Sequence, residues 1–165
     1  MCGICGVAGT RREGEAESAV RRMVAAMTHR GPDDEGVYAT PGAVIGMRRL
    51  SIIDLAGGRQ PIFNEAGTIA VVQNGEIYNF RELWAELVRR GHTFRTRSDT
   101  EVIVHAYEEW GEECAAHLRG MFAIAVVDSR QETAAGPRVL LARDPLGIKP
   151  LYYARANGGV VFASE

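Results

Sequence analysis

The chain predicts an α+β fold, an αββα four-layer sandwich in which two mainly antiparallel sheets pack face to face with helices outside. Strand-like runs cluster toward both ends, with two or three amphipathic helical stretches between them. That order suits two stacked sheets better than the regular strand–helix alternation of a parallel sheet. With 165 residues, 46% of them hydrophobic and 24% charged, the chain can bury one substantial core but not two domains.

Residues 3–9 read as the first strand, so Cys2 and Cys5, three apart, point to opposite faces. Residues 18–30 place Val20, Met23, Val24 and Met27 on one side of a helix, which Gly31-Pro32 stops. Strands follow at 36–40 and 43–53, then a loop over 55–67 marked by Gly57-Gly58, Pro61 and Gly67. A short buried strand at 68–73 runs into a turn at Asn74-Gly75. Asn79 with Glu82 resembles a capping box ahead of Phe80, Leu83, Leu87 and Val88, and that helix ends near Gly91. Ser98 with Glu101 repeats the pattern before Val102, Ile103, Ala106, Tyr107 and Trp110. A short helix over 112–118 precedes strands at 121–128, 138–143, 151–154 and 160–163, with 129–137 as a long exposed hairpin loop.

Composition excludes several function classes. A formal net charge of −2 offers no electrostatic reason to expect nucleic acid or an anionic membrane as partner. No apolar run approaches a membrane span and no signal peptide is visible, so a cytoplasmic location is expected. Three cysteines are too few and too unevenly placed for a disulfide framework. Cys2 and Cys5 form a C-x-x-C, yet no second ligand pair follows at zinc spacing and no strand precedes it. No metal is expected.

Several residues can carry chemistry together. If Met1 is removed, the α-amino group of Cys2 lies beside its own thiol and can act as the base of a self-activating nucleophile. The structural alternative is a small buried hydrophobe. Attack on a carbonyl needs donors for the developing oxyanion, and the Asn74 amide with the Gly75 N–H offers two; alone, Asn-Gly is more often a tight turn. Arg49 interrupts an apolar strand, where a cation reaches solvent or pairs with an anion such as a carboxylate, while Arg48 points to the other face and reads as solvated. Glu76 and Asp99 can bind an ammonium, or serve helix N-termini instead. A carbonyl, a carboxylate and an ammonium together describe an amino acid with a side-chain amide.

The residues now assembled resemble the glutaminase domain of class II glutamine amidotransferases, and most closely the asparagine synthetase (glutamine-hydrolysing) branch. The resemblance rests on Met1-Cys2-Gly3-Ile4, His29-Arg30-Gly31-Pro32-Asp33, Arg49-Leu50-Ser51-Ile52-Ile53-Asp54, Gln60-Pro61, Asn74-Gly75-Glu76-Ile77-Tyr78-Asn79, Ser98-Asp99-Thr100-Glu101-Val102, Gly120-Met121-Phe122-Ala123 and residues 143–153, in that order. It implies an N-terminal nucleophile hydrolase fold and hydrolysis of glutamine to glutamate and ammonia through a Cys2 thioester. It further implies Asn74 and Gly75 as the oxyanion hole, Arg49 for the α-carboxylate, Glu76 and Asp99 for the α-amino group, and Leu50, Ser51, Ile52 and Ile53 as a pocket wall. The glutaminase domain would span 1–165 and need no cofactor. A synthetase domain, in cis in a parent protein or in trans, would use ATP and Mg to transfer the ammonia, and a homodimer is compatible with the family. Gly57-Gly58 lacks the surroundings of an ATP-binding loop, so that step is expected outside these residues. The contrasting reading is a glutamine-binding or regulatory module without turnover.

Overall fold

The computed structural model describes residues 1–9, 13–51, 54, 57–133, 136–156 and 158–165. One sheet runs β2-β3-β1-β9-β8, built from β1 (Gly3–Ala8), β2 (Asp34–Thr40), β3 (Ala43–Arg49), β8 (Tyr152–Ala156) and β9 (Gly159–Ala163). The other runs β4-β5-β6-β7, from β4 (Ile62–Phe63), β5 (Ile69–Ile77), β6 (Gly120–Thr133) and β7 (Gly136–Arg143). Every pairing is antiparallel. Helix α1 (Glu13–Ala26) covers the first sheet, while α2 (Phe80–Arg89), α3 (Glu101–Trp110) and the short α4 (Cys114–His117) lie with the second. The expected four layers are present.

Alternation along the strands builds these layers. In β6, Phe122, Ile124 and Val126 face the helices, whereas Ala123, Ala125 and Val127 face the opposite sheet. β5 divides likewise, Ile69 and Val71 toward the helices and Ala70 and Val72 inward. Small side chains on these inner faces leave room for Ile4, Ile45, Met47 and Phe162 from the first sheet. Gly6 lies directly beneath Phe162, where a Cβ would meet the ring at 2.5 Å. On the outer face, Cys5 packs with Val20, Val24 and Val44 under α1. Burial pushes the Cys5 thiol up to about 12, and Cys2 and Cys5 do face opposite layers.

Five local expectations change. Asn74-Gly75 is no turn; it lies within β5, opposite Ala123 and Phe122. Neither capping box forms. The Asn79 side chain donates to His117 O and accepts from Arg119 N, and Glu101 accepts from Arg95 N and Thr96 N instead of reaching back to Ser98. Arg48 is buried rather than solvated, because the segment after α1 covers it: its Nε donates to Gly31 O at 2.8 Å and its Nη1 pairs with Glu35. The 129–137 hairpin is largely strand, with β6 reaching Thr133 and β7 starting at Gly136; residues 134–135 lie outside the described set. The loop expected over 55–67 also contains β4.

Candidate active site

The inward rows of the two sheets continue past their apolar part into polar residues, and this creates the site. Cys2 shares the parity of Ile4, Arg49 that of Ile45 and Met47, and Asn74 that of Ala70 and Val72. At this end the sheets, the start of α3 and the β7–β8 connection enclose a cavity of about 250 Å³ lined by Cys2, Arg49, Leu50, Asn74, Gly75, Glu76 and Asp99, among others. Seven of the ten residues expected at the site therefore meet there. Ser51 is not among the lining residues and donates its N–H to Asp33 Oδ2 at 2.8 Å. Ile52 and Ile53 lie outside the described residues.

The half-buried Cys2 thiol sits against Leu50, whose N–H points at Sγ from 3.4 Å. Arg30 Nε holds the Cys2 carbonyl at 3.0 Å, and its Nη1 pairs with Glu165 at 3.2 Å. Ser164 brackets the same strand: its Oγ accepts from Ile4 N and its N–H donates to Ile4 O. Met1 also lines the cavity, so the Cys2 nitrogen here is a peptide nitrogen.

Asn74 is 1% exposed, yet neither atom of its side-chain amide has a hydrogen-bond partner. Leaving such a group unpaired costs about 1–3 kcal/mol, a cost a ligand can remove. At Gly75 a Cβ would meet Met121 O at 2.1 Å, so only glycine lets β5 and β6 close here. Arg49, 4% exposed, donates to Asp54 O at 2.8 Å, which fixes its guanidinium at the cavity wall.

Asp99 precedes α3 and is 5% exposed. Its Oδ2 accepts from Ile77 N at 2.9 Å and from Gln73 Nε2 at 3.3 Å. Burial nevertheless dominates and pushes its pKa above the usual carboxylate value, with the nearby Glu76 charge adding to the rise. A cationic group entering the cavity would favour the carboxylate.

Sequence reasoning missed the supports. Gln60 Oε1 accepts from Gln73 N at 2.7 Å and Gln60 Nε2 donates to Thr100 Oγ1 at 3.2 Å, tying the β4 approach to β5 and α3. Lys149 also lines the cavity and is 7% exposed. The loop that places it is organised by Asp144, which accepts from Ile148 N, Lys149 N and Phe122 N, and by Arg143, which donates to Gly147 O and Lys149 O. The stretch 143–153 was visible in the sequence, but not which of its side chains turns inward.

The sandwich, with its cysteine-bearing first strand at the centre of one sheet, has the fold of the N-terminal nucleophile amidotransferases. A solved glutamine phosphoribosylpyrophosphate (PRPP) amidotransferase from B. subtilis superposes with a TM-score of 0.78 at 22% identity, over 99% of this chain and 42% of that one. Residues 1–165 match the family model of the glutamine amidotransferase domain, and the chain belongs to that family. It is 44% identical over 168 residues to asparagine synthetase (glutamine-hydrolyzing) 1 of Bacillus subtilis (strain 168), covering 100% of this chain and 26% of that protein. It is 43% identical over 167 residues to asparagine synthetase (glutamine-hydrolyzing) 3 of Arabidopsis thaliana, covering 28% of it. The chain thus spans about a quarter of the length of these curated relatives.

Proposed function

We propose that this amidotransferase domain hydrolyses glutamine to glutamate and ammonia at Cys2. The observation that carries the reading is the buried, unpartnered amide of Asn74 in the same cavity as the Cys2 thiol. Once Met1 is removed, the free α-amine of Cys2 takes the thiol proton and Sγ attacks the side-chain amide carbon. The Asn74 amide and Gly75 N–H receive the negative oxygen. The C–N bond then breaks, the amine's proton goes to the leaving nitrogen, and ammonia departs from a γ-glutamyl thioester. Water attacks the thioester, releasing glutamate and restoring the thiol. Arg49 binds the α-carboxylate, Glu76 and Asp99 bind the α-ammonium, and Leu50 forms the wall beside Cys2.

Residues 1–165 are read as one glutaminase domain, working in the cytosol beside an ATP- and Mg-dependent synthetase domain that uses the ammonia to make asparagine or a related amide. The names of the relatives support the product, and three free thiols suit a reducing compartment. Exposed Leu146, Ile148, Tyr152 and Tyr153 supply an apolar surface on which such a domain can rest.

The test combines intact mass with glutamate release. Loss of one methionine with glutamate production is expected, and Cys2→Ala should abolish release while retaining glutamine binding. Turnover by Cys2→Ala would refute the mechanism. Retained Met1, with binding but no release, would describe a binding module.

A further inference from the structure

We propose that Glu65, His92, His105 and Glu108 form a site for one divalent transition-metal ion of the zinc class. The cluster lies on the helical side of the second sheet and shares no residue with the catalytic cavity. Glu65 follows β4, His92 follows α2, and His105 and Glu108 project from one face of α3, three residues apart. One ligand atom from each residue lies within 4.8 Å of all the others. His105 Nδ1 is 2.9 Å from Glu108 Oε2 and 3.6 Å from Glu65 Oε2, and His92 Nδ1 is 3.5 Å from Glu108 Oε2. Four ligands at zinc bond lengths of about 2.0–2.1 Å in a tetrahedron stand roughly 3.3 Å apart, so small side-chain adjustments suffice.

The opposite end of three of the four ligands is hydrogen-bonded, which orients them toward a common centre. Glu65 Oε1 accepts from Thr93 N at 2.7 Å, and Glu108 Oε1 accepts from Asn64 Nδ2 at 2.7 Å. His92 Nε2 faces Glu109 Oε2 at 3.4 Å, and His105 Nε2 faces Glu101 Oε1 at 3.8 Å. His92 is therefore backed by a carboxylate, His105 Nε2 has Glu101 near it but no hydrogen-bond partner, and both rings turn Nδ1 to the common centre. Two carboxylates and two neutral imidazoles balance a divalent charge, and nitrogen with oxygen donors at four positions fits zinc or cobalt. His105 is fully buried while the Glu65 side chain is 36% exposed, so the site is open to solvent on the Glu65 side. The expectation that no metal binds rested on cysteine spacing, which does not address a site assembled from three separate segments.

The ion would join the β4–β5 turn, the α2–α3 connection and α3. That connection leads directly into Ser98 and Asp99 of the catalytic cavity, so metal binding would brace the substrate-binding end of α3.

The test uses the full chain, stripped with chelator and titrated with Co²⁺ and Zn²⁺. One ion per chain, a tetrahedral Co²⁺ absorption band without sulfur-to-metal charge transfer, and a raised thermal midpoint are expected. His92→Gln and the exposed Glu65→Gln should each weaken Zn²⁺ binding by about 100-fold, and Glu109→Gln by about tenfold. Two results would overturn the proposal. One is no metal uptake by the folded, stripped protein, in which case a proton alone bridges His105 and Glu108. The other is a Co²⁺ band that survives Glu65→Gln with His92→Gln, which would place the ion elsewhere, as at Cys2.

Discussion

A buried amide with nothing to bond is costly unless something arrives to bond it, and Asn74 is that residue here. Asn74→Ala should lower kcat by about 10²–10³ with little change in KM, because on the proposed mechanism the lost donor acts on the transition-state oxygen. Steady-state kinetics of the processed domain checks this, and an equal rise in KM would point to a ground-state role. Asp99 carries a pH signature. Burial holds its pKa above the ordinary carboxylate value, so its stabilising contribution to the empty protein is full below about pH 4 and is lost as pH rises through the raised value. Its ionised form is the one that pairs with an ammonium. The glutamine-induced thermal shift of Cys2→Ala protein should therefore grow as pH rises through that value, and Asp99→Asn should remove the step. A step that survives in Asp99→Asn would assign it to another group. Cys2, Arg49, Asn74 and Asp99 were legible in the sequence because each brings chemistry that its own position makes unusual. The roles of Gln60, Gln73 and Lys149 were not, although Gln60 and Lys149 stand in motifs that carry the resemblance, since those roles depend on register and on a loop's path.

Between secondary-structure elements, single carboxylates do much of the connecting. Burial works against ionising Asp144, but N–H donors from Ile148, Lys149 and Phe122 outweigh it and hold its carboxyl below the usual range. The stability it contributes is present above about pH 4 and is lost as pH falls through the lowered value. Asp144→Ala should cost about 2–3 kcal/mol in urea denaturation at neutral pH, with the deficit narrowing in acid. A deficit unchanged by pH would show that packing rather than ionisation is at stake. Asp54 acts similarly, accepting from Gly57 N and Arg97 N, and so holds the two loops flanking the cavity. Element types were largely readable from hydrophobic periodicity. Asn74-Gly75 was misread because local turn propensity gave way to pairing with Ala123 and Phe122 of β6, far along the chain. The capping boxes failed because their polar groups found other partners: Asn79 bonds the distant His117 and Arg119, Ser98 Oγ accepts from Thr100 N, and Glu101 accepts from Arg95 N and Thr96 N.

At the scale of the molecule, stability and site share the interface between the sheets. Phe162 of β9 fills that interface beside Gly6 and is 1% exposed. Phe162→Ala should cost about 3–5 kcal/mol, measured by chemical denaturation, and should also reduce turnover by loosening β1. Full activity in a variant so destabilised would separate the core from the site. The layer order was legible because strands and helices segregate along the chain; the sheet order was not, since it joins the first strand to the last. Cys5 pairs with Ala163, so one edge of β1 closes only when residues 159–163 exist. At about 5–20 residues per second, translation leaves that edge open for on the order of 10 s after the N-terminus is made. On the proposed mechanism, the order of synthesis would give a methionine-removing enzyme an unfolded substrate, and the thiol would acquire its base before the pocket around it is complete.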